Sequence, residues 1–298
     1  MEMIIWNTVI VLSKIVFYVG FACIAGYTFF RQIFEHNESH NNVVIANLKC
    51  TKTSVVVALI ANGVWFFSST GAMAEEGIQG ALDTDMLAIM WDSSIGDGAL
   101  LRATGLALAI IALASPFKFK SVVLNKYLKQ GVLVSSLLLL AYTFILIGHV
   151  SELGLFEKAL LILHVLVMTW WFGALFPLKQ ACQQLSNTEL HLLMESFGKQ
   201  ASIAVSLLLV AGFWLAIQLV GSVQALLTSS YGQTLLFKLF LVISILAIAA
   251  KHKLKLVPQL KNNDGREALS KSISVEMIVA FAILTVTAGL TSVVGPAN

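Results

Sequence analysis

Eight apolar runs divide the chain, at about 4–30, 53–72, 98–115, 130–149, 156–178, 200–220, 233–250 and 273–293, and of the connections between them only alternate ones hold Lys or Arg. Each run is long enough to cross about 30 Å of hydrocarbon at roughly 1.5 Å per residue. The strict alternation constrains the fold further, because one missed or invented span would break it. The chain therefore reads as an all-α polytopic membrane protein with eight transmembrane helices. Its composition agrees, with 58% apolar and 12% charged residues against roughly 45–50% and about 25% in soluble domains. A soluble enzyme is excluded.

Arg31, Lys49 and Lys52 follow span 1, and Lys118, Lys120, Lys126 and Lys129 follow span 3. Lys179 and Lys199 follow span 5, and Lys251, Lys253, Lys255, Lys261, Arg266 and Lys271 follow span 7. The positive-inside rule puts these connections in the cytoplasm and both termini outside, in a bacterial inner (plasma) membrane. The net charge of +3 is too mild to suggest nucleic acid. Cys23, Cys50 and Cys182 lie far apart with no CxxC, so no disulfide framework or zinc module is visible. The start lacks a basic n-region, and its apolar stretch continues to Phe30, which reads as an uncleaved first span.

Four spans return a chain to its starting side, so a duplicated four-span unit would lie twice in one orientation. Several markers fit such a parallel repeat. Gly63-Val64-Trp65 matches Gly212-Phe213-Trp214, and Ser94-Ile95-Gly96 with Arg102 matches Ser230-Tyr231-Gly232 with Lys238. Phe17 precedes Gly26 as His164 precedes Gly173. The first repeat is expected over residues 1–129 and 130–155 and the second over 156–298, within one membrane domain. Because His164 stands where the first half has Phe17, two equal sites are not expected.

Ionisable side chains at membrane depth cost about 2.5–3.5 kcal/mol each and need a reason. Here they are Lys14, Arg102, Lys158, Lys238, His149, His164 and Glu276. Arg102, Lys158 and Lys238 lie near span ends and can snorkel, and Glu75 or Glu76 can neutralise Lys14. His149 closes span 4, and His164 follows across a short outer turn. Met168, four residues on, shares the face of His164, a donor pair that suits copper. Helical rise places His164 roughly 10 Å below His149, so the two read as successive stations. Cys23 lies deeper, as a third station or a small buried residue.

The loop from Met73 to Asp97 holds six acidic residues and no basic one, and can concentrate cations. Within it Met86 and Met90, four apart beside Trp91, form either a weak Cu(I) capture site or the apolar face of a surface helix. His36, His40, His191, His252, Cys50 and Cys182 show no ligand spacing and read as solvated cytoplasmic residues. No phosphate loop, GxGxxG, HExxH or nucleophile elbow is present. The chain is accordingly expected not to be an enzyme, and any transport to be passive or driven by an ion gradient. Ala22 and Gly26 permit close helix contact within the chain or in a homo-oligomer.

Gly148-His149, His164, Trp171-Phe172-Gly173-Ala174-Leu175-Phe176-Pro177, Tyr231-Gly232-Gln233 with Leu235-Leu236-Phe237-Lys238, Leu256-Val257-Pro258 and Glu276 together resemble the copper-resistance protein D (CopD) family. The resemblance implies an inner-membrane copper-handling protein that moves copper toward the cytoplasm, paired with a periplasmic CopC-type copper-binding protein. Its matching positions here are His149, His164, Trp171, Gly173, Lys238 and Glu276. One departure is that members often carry a first-span histidine three residues after a basic residue, whereas Lys14 is followed by Phe17.

The leading expectation is a copper permease in which the acidic loop gathers copper and His149, then His164 and Met168, pass it inward. Arg102, Lys158 and Lys238 would repel the ion unless acidic neighbours or chloride offset them. That objection supports an alternative, a haem b or redox protein with His149 or His164 as axial ligand and Arg102 and Lys238 on the propionates. A third reading is a docking subunit for a periplasmic copper carrier.

Overall fold

The computed structural model describes residues 2–34, 41–114, 122–220, 222–262 and 264–294; the side chains of 31–34, 41–43, 122–125, 149 and 150 lie outside that description. Helices α1 (Glu2–Phe34) and α2 (Asn41–Ala74) are followed by two short ones, α3 (Gly77–Leu82) and α4 (Thr84–Trp91). Then come α5 (Ser94–Ala114), α6 (Val122–Tyr142), α7 (Leu155–Gln184) and α8 (Asn187–Val220). The short α9 (Val223–Thr228) leads into α10 (Ser230–Lys251), which continues through a π turn to α11 (Val257–Gln259), and α12 (Arg266–Leu290) ends the described chain. No strand forms among the described residues. Eight of these segments are long and apolar enough to cross a membrane, as expected. Only structures that satisfy their backbone polar groups internally are stable at that depth.

Side-chain caps set several helix starts. Asp83 accepts from the amides of Asp85 and Met86 at the head of α4, Ser222 from Ala225 at α9, and Ser229 from Gly232 at α10. Span 4 departs from expectation at its outer end. Its apolar run continues to Val150, but the α-helix stops at Tyr142 and gives way to single 3-10 turns at Thr143–Ile145 and His149–Glu152. Gly148 between them has φ +82°, a left-handed conformation that no α-helix contains. His149 therefore lies beyond the helix rather than at its last turn.

Helix α1 is the centre of the bundle and packs on α2, α7 and α12, with Phe17, Phe21 and Ile24 buried. Its crossing with α7 sets backbone against backbone. A Cβ added at Gly173 would lie 1.9 Å from the Ala22 carbonyl, and one added at Gly26 would lie 2.1 Å from the Gly173 carbonyl. Pro177 explains the second contact, because it has no N–H to bond Gly173 O four residues back. The released carbonyl lies against the bare Cα of Gly26. The Ala22–Gly26 stripe is thus used within the chain.

The two halves pack differently beyond this crossing. In the first, α2 packs along α5, and α5 along α6. In the second, a cavity of about 300 Å³ separates Ala201 and Val205 of α8 from Leu246 and Ala249 of α10.

Candidate functional site

In the first half the polar centre is filled. Arg102 on α5 is buried, and its guanidinium carbon lies 4.6 Å from the ring centroid of Phe17 and 4.3 Å from that of Trp65. Its Nε donates to Thr143 Oγ1 at 3.3 Å, and that hydroxyl donates to the Leu140 carbonyl at 2.8 Å. The side chain does not snorkel to an interface: two aromatic faces hold the cation by their quadrupoles. A guanidinium enclosed in this way is not open to a haem propionate.

In the second half His164 and Lys238 occupy the positions that the sequence markers pair with Phe17 and Arg102. His164 stands on α7 opposite Gly212 of α8, where an added Cβ would come 3.3 Å from His164 Cε1. His164 Nδ1 is buried and has no hydrogen-bond partner. Lys238 of α10 is the charge that acts on the ring, and the Leu208 carbonyl faces it. The glycine makes room for the imidazole, while the lysine stays half-buried. Met168 and Trp171 follow at i+4 and i+7 and so continue along the same side of α7.

Below them lies a network that the sequence reading missed. Trp171 Nε1 donates to Glu276 Oε1 at 3.0 Å, and Glu276 Oε2 lies 3.1 Å from His252 Nδ1. His252 Nε2 is 2.7 Å from Ser272 Oγ. His252 and Glu276 are both buried and both line the α8–α10 cavity, together with Met194 and Trp171. Expected to be solvated, His252 instead opens the π turn His252–Leu256, in which the Val257 amide bonds back to the His252 carbonyl. Pro258 is the local cause, since its ring clashes with a carbonyl four residues back and a wider turn gives it room. The Leu256-Val257-Pro258 motif was the available signal, but flanking Lys251 and Lys253 made His252 look like part of a wet basic loop.

The remaining candidates scatter. The side chain of His149 lies outside the described residues, as do those of His36 and His40. Met90 is buried with Trp65, Phe66 and Ala99, while Met86 is half-buried, so the two thioethers do not form an open pair. Lys14 donates to the Thr291 carbonyl at 2.9 Å and not to Glu75 or Glu76. Cys182 is buried in the second-half core, and His191 Nδ1 is 3.1 Å from the Val257 carbonyl, so neither is a solvated residue. Cys23 meets Cys50 across the α1–α2 contact. Among the described residues no group of three or more His, Cys, Asp or Glu is placed to hold a metal ion.

These features define an eight-span helical membrane protein, multi-pass in the inner membrane. Comparison with known families makes the assignment specific. Residues 3–157 match the copper resistance protein D-like N-terminal domain, and residues 191–290 match copper resistance protein D. The chain belongs to the copper resistance protein D family and is a copper-resistance membrane protein. Neither a curated protein nor a solved structure gave a match.

Proposed function

We propose that the protein is a copper permease that carries copper from the periplasmic side toward the cytoplasm through the second half of the bundle. The observation that carries this reading is the buried, unpartnered Nδ1 of His164. A buried ring nitrogen without a hydrogen bond forgoes about 1–3 kcal/mol, and a passing metal ion is a partner that would recover it. Met168 then offers a thioether one turn below, and Trp171, Glu276 and His252 form a polar wall on the cavity beneath. With both termini outside, as the charge pattern favours, His164 stands nine residues inward from Leu155, about 14 Å below the outer end of α7.

A parallel repeat supports the division of labour. Arg102 and Phe17 touch in the first half, and at the matched positions Lys238 acts on His164 in the second. The aromatic ring and caged cation seal one half, whereas the imidazole keeps the other available. Lys238 favours cargo of low charge, since Coulomb repulsion for Cu(I) is half that for Cu(II) at one distance. A CopC-type carrier delivering to the acidic outer loop, and a homo-oligomer covering the apolar faces of α8 and α10, are compatible with this reading.

The test is copper uptake into proteoliposomes by wild type, His164→Ala and Met168→Leu. Uptake by wild type should fall at least ten-fold in His164→Ala, with a smaller loss in Met168→Leu. Unchanged uptake in a well-folded His164→Ala variant would refute the proposal. A haem Soret band in purified wild type, lost in His164→Ala, would replace it with the haem reading.

A further inference from the structure

A second pair of copper-compatible donors lies away from this path. Helices α1 and α2 run antiparallel and touch closely: a Cβ added at Gly20 would lie 2.4 Å from Ala58 Cβ and 3.0 Å from the Ser54 carbonyl. One turn further along α1, Thr51 Oγ1 donates to the Cys23 carbonyl at 3.4 Å. This register sets Cys50, the neighbour of Thr51, beside Cys23. The two thiols and the Ser54 hydroxyl lie close enough to act on one another. Both cysteines are partly exposed rather than buried.

We propose that Cys23 and Cys50 form a two-sulfur Cu(I) site in the first half of the protein, separate from the path along α7. Two adjacent thiols are soft donors that select Cu(I) over harder divalent ions, and two ligands suffice for this ion. The metal enters already as Cu(I) and no electron is transferred. Two Cu–S bonds form, both thiol protons leave to solvent, and the Ser54 hydroxyl donates to a thiolate. The product is a singly negative bis-thiolate, which needs a cation nearby. Lys129 of α6 supplies one, its Nζ 5.7 Å from the ring centroid of Tyr27, which follows Cys23 by one helical turn on the same face.

The experiment loads the full-length detergent-purified protein anaerobically with Cu(I) from a Cu(I)-chelator buffer. Bound copper is then measured, and its ligands are read by X-ray absorption. Wild type should retain a Cu(I) ion with a two-sulfur shell. Cys23→Ser and Cys50→Ser should each lose that shell and weaken Cu(I) retention at least ten-fold, while Cys182→Ser keeps both. Cu(I) should also protect Cys23 and Cys50, but not Cys182, from alkylation in wild type, a readout that needs no variant to fold. An unchanged sulfur shell in the Cys23→Ser/Cys50→Ser double variant would overturn the proposal. So would a Cys23–Cys50 disulfide in anaerobically purified protein that binds no Cu(I). Failure of wild type to transport copper would leave these readouts untouched, so the site and the permease reading stand or fall separately.

Discussion

Replacing Gly173 with alanine tests the central crossing. The new methyl carbon would lie 1.9 Å from the Ala22 carbonyl oxygen, 2.7 Å from the Gly26 nitrogen and 2.8 Å from the Ala22 carbonyl carbon. Ordinary contact begins at 3.4 Å, so α1 and α7 must part by about 1.5 Å, and all three obstacles are backbone that no rotamer change can move aside. A gap of 0.5–1 Å already forfeits a quarter to a half of a contact's dispersion energy, and the separation would be felt along the whole seam, including the edge-on pair of Phe29 and Trp170. Overpacking costs about 1–3 kcal/mol where side chains can yield; here a value of about 3 kcal/mol or more is expected. Thermal unfolding in one detergent should show Tm lowered by about 6–12 °C. Gly289→Ala and Gly63→Ala, where nothing lies within 4 Å, should leave Tm unchanged or slightly raised through better helix propensity. A Gly173→Ala protein that melts with wild type would refute the claim that the halves meet backbone to backbone.

Glu276→Ala should lower Tm more than Glu276→Gln, because the glutamine keeps an oxygen for the Trp171 N–H, whereas alanine leaves that donor unsatisfied at about 1–3 kcal/mol; equal melting of the two would discount the bond. Arg102→Met should be neutral or stabilising by about 1–2 kcal/mol, since a flexible apolar chain fits between Phe17 and Trp65 and removes a buried charge. Copper uptake should survive that change, and its loss in a stable Arg102→Met protein would place Arg102 on the path. Arg266→Ala removes bonds to Asn187 Oδ1 at 2.8 Å and the Leu185 carbonyl at 2.7 Å, which hold the turn between α7 and α8. A loss of about 1.5–3 kcal/mol is expected, with Arg266→Lys recovering only part because an ammonium cannot fork; full recovery by lysine would show that charge alone matters there.

The eight spans were legible in the sequence because the bilayer enforces length and apolarity on every crossing segment. What that signal does not carry is the difference between the two faces of a helix near its ends. Lys49 and Lys52 are exposed, while Thr51 between them is fully buried and Cys50 half so, all within one turn of α2. Reading along the chain, the lysines pull Cys50 into the cytoplasmic loop; reading around the helix, they mark the wet side of a turn whose other side packs on α1. The same confusion hid His252, flanked by exposed Lys251 and Lys253 yet turned inward to Glu276. His149 failed in the opposite direction. Its apolar surroundings extended span 4 past the true end of α6 at Tyr142, because a hydropathy average does not register where a helix gives way to 3-10 turns and a left-handed glycine. The shared face of His164, Met168 and Trp171 was recoverable because i, i+4 and i+7 spacing is a property of the helix itself. The partners they meet on α8, α10 and α12 were not, because interhelical register leaves no periodic trace in one chain. Where two long helices overshoot the bilayer, the residues that bind across them are the ones a linear reading assigns to water.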